Sequence, residues 1–508
     1  MLRSLAAVTL GAWITTQSLM LGATGAQAAA GSDWNRYLFD PTNSGFNGET
    51  LITPSSARTL KVRAGWPVQL GGTISAQPVV SSGVVYAGAW DGYEYALCAV
   101  SCSTTVNGVV TVHPSGFVLW KQYIGRTNGG PTCNPPVAGV ASTPTVATVP
   151  IVINGIPTPT RALFVGGGGN VAIGGAALPN GAATLVAFDA LTGALLWQAP
   201  LGSAPSHFMW SSPILANGSL YVGIASFGDC PLVQGQVVQV DPATGLILHT
   251  FNVVPDGCTG GGVWSSPAVD PADGSVYVAT GNAGTCASAQ PYTVALLKLS
   301  PSLTLLSSWA IPAAEQTSDG DFGAAPSLFP GTVTPSGAPR SLVGIVNKNG
   351  TYYVFDRANL AAGPVARLAV AAAGDCPQCG KGGIAPSAWD GRGLYVAAGN
   401  TIIGGTVYKG SVRAFNPNNL PAPIWQAKMR SGPVLGAVAA VPGVAFVGSG
   451  HYIFAIRLSD GATLFRQAVS SLGLPQSAVF YGAPAVAQGV LYEGDTNGVL
   501  YALSPNGA

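Results

Sequence analysis

The stretch LVAFDALTGALLW, residues 185–197, decides the fold of this chain. An apolar run leads into a turn of the form Asp-x-x-Thr-Gly, and a second apolar run follows and includes Trp197. Short apolar runs bounded by Asp, Thr and Gly are typical of β-strands joined by tight turns. The stretch therefore predicts an antiparallel strand pair with an aromatic residue at the end of its second strand.

The same unit recurs along the chain. The turn positions that correspond to Asp189 are Asp241, Ser300, Asp356, Asn416, Ser459 and Ser504. Successive turns lie 43 to 60 residues apart, and an earlier copy in residues 93–120 brings the number of repeats to eight. Two further apolar runs precede each unit, for example residues 211–215 and 220–223. Four short strands per repeat at this period predict an all-β fold, an eight-bladed β-propeller of four-stranded antiparallel blades.

The two ends of the repeat region predict how the ring closes. The last repeat has no fourth strand, whereas residues 59–70 form an unattached strand that carries Trp66. We expect this N-terminal strand to complete the last blade, because that pairing removes a free sheet edge. The predicted division is a signal peptide at residues 1–28, an N-terminal extension at 29–58 and one propeller at 59–508.

Composition and the first residues predict an exported protein. Residues 1–28 combine Arg3, an apolar stretch and the small-residue site Ala-Gln-Ala, the pattern of a secretory signal peptide, so a periplasmic or secreted location is expected. No later run approaches the roughly 20 apolar residues of a spanning helix, so no membrane span is expected. Only 8% of residues are charged and the net charge is +1, which argues against a nucleic-acid partner.

Eight cysteines in an exported chain predict disulfide bonds. Two pairs are close in sequence, and the other four cysteines fall in loops that a propeller would gather at one face. The favoured pairing is Cys98–Cys102, Cys376–Cys379, Cys258–Cys286 and Cys133–Cys230. A zinc site around residues 376–379 is the alternative for that pair.

Several unusual polar and aromatic residues lie in loops that one end of the propeller would present. They are Trp264 in VWSSPAVD, Asn282 in VATGN, Asp319 and Asp321 in DGDFGAAPSLF, and Lys348 in NKNGTYYVFDR. Because these segments belong to consecutive repeats, we expect the residues to converge on the funnel at the ring axis.

This ordered series resembles that of quinoprotein alcohol dehydrogenases, eight-bladed propellers that hold pyrroloquinoline quinone (PQQ) and a calcium ion. It is most similar to the polyvinyl-alcohol dehydrogenase-like branch without its haem domain. The resemblance implies an exported PQQ-dependent dehydrogenase that oxidises an alcohol, small or polymeric, to a carbonyl. Electrons would then pass to a separate acceptor.

The resemblance also assigns roles to individual residues. Trp264 would form a flat floor under the quinone, Asp321 would be the general base, and Lys348 would stabilise the reduced cofactor by its charge. Asn282, with Asp319 and Asp321, would bind calcium through oxygen atoms. Ordinary structural roles remain the alternative: a blade-packing Trp, a turn Asn, a solvated acidic turn and a surface Lys.

The chain also departs from the family pattern. Residues 166–185, where the family places a calcium-binding Glu, contain no acid, so calcium lacks one expected ligand. Residues 89–92 stand where many members carry adjacent cysteines, and the absence of Cys-x-x-Cys-His excludes a covalently attached haem. The competing hypothesis is a non-catalytic propeller that acts as a cell-envelope interaction scaffold, and a hydrolase or lyase on this scaffold is a third possibility.

Overall fold

The computed structural model describes residues 32–106, 109–168, 183–202, 206–286, 290–472 and 477–508. The predicted signal peptide lies outside these residues, as does most of the acid-free segment 166–185. Among the described residues, no helix is long and apolar enough to cross a membrane. Short 3-10 helices are found at Ser56–Thr59, Ala313–Glu315, Leu360–Ala362, Pro377–Cys379 and Val469–Leu472.

Eight antiparallel blades follow one another along the chain and confirm the predicted propeller. The first strands of blades 5 to 8 and of blade 1 contact one another in succession, which places the first strands nearest the axis. The strands of blades 1 to 4, in order from the axis outwards, are Val79–Ser81, Val84–Gly88, Tyr93–Cys98 and Val118–Tyr123; Thr145–Ile153, Ile156–Gly167, Thr184–Asp189 and Leu195–Pro200; Ile214–Ala216, Ser219–Ser226, Gln236–Val240 and Ile247–Asn252; Ala268–Val269, Val276–Ala279, Ala295–Leu299 and Leu305–Ala310.

The remaining blades repeat the pattern. The strands of blades 5 to 8 are Ser327–Gly331, Arg340–Val346, Thr351–Asp356 and Ala366–Ala369; Ala388–Trp389, Leu394–Ala398, Gly410–Phe415 and Pro423–Met429; Ala439–Val441, Val444–Ser449, Tyr452–Arg457 and Thr463–Ala468; Ala485–Ala487, Val490–Gly494, Val499–Pro505 and, at the outer edge, Leu60–Val62 with Val68–Gln69. Additional short strands are Cys102–Val106 with Val109–His113, Thr127–Asn128 with Val137–Ala138, Thr401–Ile403 with Thr406–Tyr408, and His207–Phe208 beside blade 3.

The N-terminal strand closes the ring, as predicted. Leu60 pairs with Pro505, and Val68 pairs with Leu500 farther along the same strand of blade 8. The indole N–H of Trp66 then donates to Ser115 Oγ in blade 1 at 2.9 Å. The first and last parts of the described chain therefore share one blade, and the N-terminal segment covers the edge of Val499–Pro505 that would otherwise be free.

The recurring turn is explained by contacts between neighbouring blades. The indole N–H of Trp120 in blade 1 donates to the carbonyl of Ala190 in the blade 2 turn, and Trp197 donates in the same way to Pro242 in blade 3. Gly245 of that turn has φ +76, and a Cβ there would lie 2.7 Å from the ring of Trp197. The glycine of the Thr-Gly pair is thus required both by backbone conformation and by the docked indole.

Residues 34–49, which we call the N-terminal strap, bind the first strand of every blade. The partners in blades 1 to 8 are Val80, Val146, Leu215, Val269, Leu328, Trp389, Ala440 and Val486, and most of these bonds join backbone groups. The sequence predicted residues 29–58 only as an extension. The strap was missed because backbone hydrogen bonds leave no periodic side-chain pattern in the sequence.

The structure contains four disulfides, Cys98–Cys102, Cys133–Cys230, Cys258–Cys286 and Cys376–Cys379. This is the pairing favoured from the sequence. Because Cys376 and Cys379 are bonded to each other, their sulfurs are not thiolate ligands, and the alternative zinc site is contradicted.

Candidate functional site

A cavity of about 780 Å³ lies at one end of the central channel. Its walls include residues that precede the first strands of several blades, such as Ser75, Trp210 and Ala437. The strap bonds mostly to residues within those first strands, so most of it lies farther along the channel than the cavity. Tyr37 is the strap residue that reaches the cavity. A volume of this size is typical of small-molecule and cofactor sites.

All five residues predicted from the sequence line this one cavity: Trp264, Asn282, Asp319, Asp321 and Lys348. The first two belong to blade 4, before its first strand and after its second. The two aspartates precede the first strand of blade 5, and the lysine follows its second. Because antiparallel strands place these two positions at the same end of a blade, the two neighbouring blades present their side chains to one space.

The five side chains form one connected polar network. Lys348 Nζ lies 2.6 Å from Asp321 Oδ1 and 2.9 Å from Asp319 Oδ2. The indole N–H of Trp264 donates to Asp321 Oδ2 at 2.8 Å, and the amide of Asn282 donates to Asp319 Oδ1 at 2.5 Å. Each of the four carboxylate oxygens therefore has a positively charged or N–H partner.

Burial divides the two aspartates. The Asp321 side chain is 7% exposed and the Asp319 side chain 43%, so the former lies in the less solvated environment. Burial raises the pKa of Asp321 above its usual value, and the Lys348 ammonium opposes this rise. Burial alone would lower the pKa of Lys348, but attraction to both carboxylates outweighs it and holds that pKa above its ordinary value. The site therefore combines a permanently charged ammonium with a carboxylate of increased basicity.

Two supporting residues were missed by the sequence analysis. Asn347 is fully buried, and its side-chain N–H groups donate to the carbonyls of Gly320 at 2.8 Å and Asp321 at 2.9 Å. At Gly323, a Cβ would lie 2.1 Å from the ring of Trp264. The first residue fixes the backbone that carries the acid, and the second leaves room for the indole. Both could have been found in the sequence, since Asn347 directly precedes Lys348 and Gly323 is the glycine of the Asp-Phe-Gly segment.

Further residues of the cavity were given no role from the sequence. Trp90 and Trp210 lie with ring centroids 6.2 Å apart and add indole surface to that of Trp264. Asp229 and Asp375 add two more carboxylates to the wall. Trp90 belongs to residues 89–92, the position where the related family carries adjacent cysteines.

The bonded side chains of the network present an aromatic face and an ammonium rather than a free set of oxygen ligands. An indole surface and an ammonium suit an aromatic ring with carbonyl or carboxylate groups. Calcium needs six to eight oxygen ligands, whereas the oxygens of Asp319 and Asp321 already face N–H donors and Lys348. Within the described ranges, no three His, Cys, Asp or Glu side chains are grouped so that they could hold a metal ion. The residues expected to bind calcium are thus brought together, but around an ammonium.

Known proteins share sequence with parts of this chain. A family model, PQQ_2, described as "Outer membrane protein assembly factor BamB", matches residues 106–293. A polyvinylalcohol dehydrogenase of Pseudomonas sp is 33% identical over 124 residues, which cover 20% of this chain and 19% of that relative. The polyvinylalcohol dehydrogenase of Sphingopyxis sp. (strain 113P3) is 25% identical over 280 residues, which cover 50% of this chain and 36% of the relative. The aligned segments thus cover at most 36% of the length of either relative.

Solved structures share the fold over nearly the whole chain. The quinohemoprotein alcohol dehydrogenase ADHIIG from Pseudomonas putida HK5 superposes with a TM-score of 0.68 at 15% identity, covering 94% of this chain and 81% of that one. At this identity the likeness concerns the fold alone. Sequence matches and fold together confirm the resemblance predicted from the motifs: the chain is similar to PQQ-type propellers of the polyvinyl-alcohol dehydrogenase branch.

Proposed function

We propose that this protein is a PQQ-dependent dehydrogenase that oxidises an alcohol to a carbonyl. The observation that carries the proposal is the meeting of Trp264, Asp321 and Lys348 in one cavity of cofactor size. The names of the sequence relatives, polyvinylalcohol dehydrogenases, support the same reaction class.

The cavity residues would hold PQQ between aromatic and charged groups. When bound, PQQ supplies a two-electron acceptor that takes hydride from the alcohol carbon. Trp264 presents an indole face on which a flat ring can stack, a contact that adds about 0.5–1.5 kcal/mol beyond area burial. Lys348 provides a positive charge over the Trp264 ring, with its Nζ 5.3 Å from the ring centroid. Negative charge that develops on a ligand beside this ammonium would be stabilised.

Asp321 is the group in this network best placed to take the hydroxyl proton of the alcohol. Its carboxylate is nearly enclosed, and burial raises its pKa, which increases its basicity. The Trp264 N–H and Lys348 hold the two oxygens in fixed positions. Asp319, with a more exposed side chain, would balance the lysine rather than act as the base. No step is assigned to a calcium ion, because the donor set does not fit one.

The substrate, location and electron acceptor are further parts of the proposal. An alcohol, small or polymeric, would reach the cavity from solvent, and electrons would leave to a separate carrier. A periplasmic or secreted location is proposed from the predicted signal peptide at residues 1–28.

A second candidate is an interaction scaffold of the cell envelope without catalysis. The description of the family model that matches residues 106–293, an outer membrane assembly factor, favours it. A scaffold would not require a buried acid, an ammonium and an indole to be bonded to one another inside a cavity. The network of Trp264, Asp321 and Lys348 therefore favours the enzyme.

Titration of the purified protein with PQQ tests the two candidates. Binding should quench tryptophan fluorescence, because Trp264, Trp90 and Trp210 line the cavity. The loaded protein should then reduce an artificial electron-accepting dye when given simple alcohols or polyvinyl alcohol. Trp264→Ala should weaken binding, whereas Trp197→Phe, at a junction between blades 2 and 3, should leave the affinity unchanged. Absence of PQQ binding at micromolar concentration would contradict the enzyme hypothesis and favour the scaffold.

A further inference from the structure

We propose that the Lys348 ammonium takes the place of the divalent cation beside PQQ, so that this protein binds PQQ without calcium. The inference rests on the proposed function, because it concerns the same cavity and the same cofactor. It goes beyond that function by naming the positive charge that the chain itself supplies.

The position of the ammonium carries the argument. Lys348 Nζ lies between two carboxylates, 2.6 Å from Asp321 Oδ1 and 2.9 Å from Asp319 Oδ2. A cation that bridged these two residues would have to occupy the same space. It would also meet the positive charge of a lysine whose side chain is only 10% exposed, where little water is available to screen the repulsion.

The second oxygen of each carboxylate is also engaged. Asp321 Oδ2 accepts from the indole of Trp264 at 2.8 Å, and Asp319 Oδ1 accepts from the amide of Asn282 at 2.5 Å. Asn282 thus directs an N–H donor at the aspartate, where a metal site would need its carbonyl oxygen as a ligand. A divalent cation would therefore have to displace three donors rather than enter a prepared set of oxygens.

Two other carboxylates line the cavity, those of Asp229 and Asp375, and each already accepts a hydrogen bond from a serine hydroxyl. Calcium takes six to eight oxygen ligands, and residues 166–185 contain no acid that could add one. An ammonium needs fewer partners, since it has three N–H donors. One N–H is donated to Asp319 Oδ2, and Asp321 Oδ1 pairs with the ammonium through charge, which leaves N–H donors for an oxygen of the cofactor.

Terbium luminescence tests cation binding in the absence of PQQ. Tb³⁺ substitutes for calcium at oxygen sites, and energy transfer from the adjacent Trp264 would report its binding to Asp321. Wild-type protein should give no saturable signal up to about 1 mM, the weak end of protein calcium sites. Lys348→Met leaves the two carboxylates without their cation and should bind Tb³⁺ saturably. Lys298→Met is the matched control, because Lys298 also pairs with an aspartate, Asp273, but outside the cavity.

PQQ binding tests the same inference from the cofactor side. The wild-type dissociation constant for PQQ, measured by fluorescence, should agree within about twofold between EDTA and millimolar calcium, since a cation that does not bind leaves the affinity unchanged. Tightening by tenfold or more in calcium, or saturable micromolar Tb³⁺ binding to the wild type, would overturn the inference. If PQQ binds under neither condition, the proposed function fails, while the wild-type terbium titration still decides whether the lysine excludes the metal. Both decisive measurements use the wild type, so they hold even if Lys348→Met does not fold.

Discussion

The two ends of the central channel are built in different ways. Near one end, the N-terminal strap binds the first strand of all eight blades, largely through backbone groups. At the other end, blades 4 and 5 supply the five polar and aromatic residues of the network. Side chains make its bonds, apart from one backbone bond from the Lys348 N–H to the Asp321 carbonyl. The strap links the eight blades to one another, whereas the network concentrates charge at one side of a cavity.

This difference indicates that the strap contributes mainly to stability and the network mainly to ligand chemistry. Backbone bonds distributed over eight blades contribute to holding the ring together, and they depend little on which side chains are present. A buried ion pair adds little net stability over a well-packed apolar replacement, although removing one charged partner alone is destabilising. Its value here lies in the charge it presents to a ligand. We therefore expect substitutions at the strap to change the free energy of unfolding, and substitutions in the network to change turnover and ligand binding.

The largest effect is expected for Asp321→Asn. The amide keeps the shape of the carboxylate but cannot accept the hydroxyl proton, so turnover should fall by about 10²–10⁴-fold, the usual contribution of a general base. PQQ affinity should change only a few-fold, because the stacking surface of Trp264 remains. Steady-state dye reduction and fluorescence titration give the two numbers.

The matched control for that experiment is Asp273→Asn, which removes an aspartate from a surface ion pair with Lys298. Its turnover should equal that of the wild type. Full activity in Asp321→Asn would exclude Asp321 as the base and remove the main chemical distinction between the two ends of the channel.

At the strap, Asn43→Ala is the sharpest test of a stabilising role. The buried Asn43 side chain donates to the carbonyls of Pro267 at 3.1 Å and Pro326 at 2.9 Å, and so joins blades 4 and 5. Loss of both bonds leaves buried carbonyls unsatisfied and should lower the free energy of unfolding by about 2–4 kcal/mol. Urea unfolding followed by fluorescence measures the change.

Asn506→Ala provides the control for backbone conformation. Asn506 has φ +58, close to the φ of +56 at Asn43, but it is exposed near the C-terminus. A loss of stability equal to that of Asn43→Ala would assign the effect to the left-handed backbone instead of the buried bonds. PQQ affinity should be unchanged in both variants.

The strap also contains a group that titrates near neutrality. Burial raises the pKa of Glu49 to about 7, although the backbone N–H of Gly489 donates to its carboxylate at 3.1 Å. Because the folded state binds this proton more tightly than the unfolded chain, the stabilisation is complete below about pH 4.5 and is lost as the pH rises to about 7. The loss is at most about 3 kcal/mol for a shift of this size.

Glu49→Gln should remove this part of the pH dependence. Free energies of unfolding measured between pH 4.5 and 8 should fall less steeply in the variant than in the wild type. Other buried acids, such as Glu94 and Glu493, titrate in both proteins, so the difference between the two curves isolates Glu49. Parallel curves would show that this carboxylate does not change its proton affinity on folding.

The fold was predictable because its signals are local. The Asp-x-x-Thr-Gly turn appears in the sequence because the turn must reverse the chain between two strands. In blades 2 and 3 it also packs against an indole of the preceding blade, as Gly245 packs against Trp197. The closure of the ring was also predictable from a local signal, because Trp66 identifies residues 59–70 as the outer strand of a blade. The hairpin Cys102–Val106 with Val109–His113 was not predicted, because it interrupts a repeat without changing the pattern on either side.

The site was predictable as a set of residues but not as a geometry. Trp264, Asp321 and Lys348 could be found because a propeller brings equivalent loops to one funnel. Their bonding depends on side-chain conformations that the sequence does not encode locally, so the ammonium between the two carboxylates was not foreseen. The strap was missed for a related reason, since its bonds to the blades are largely backbone bonds.

The smallest effect is expected where the two ends of the channel meet, at Tyr37. This strap residue lines the cavity and packs against a small cluster that includes Leu38, Ala437 and Ala483. Tyr37→Phe keeps the ring that separates strap from cavity, so the free energy of unfolding should change by less than about 1 kcal/mol, and PQQ affinity by less than about threefold. Tyr37→Ala removes the ring and should weaken both, which makes it the positive control. A loss of PQQ affinity above tenfold in Tyr37→Phe would show that the hydroxyl binds the cofactor, and the strap would then belong to the functional site as well as to the ring.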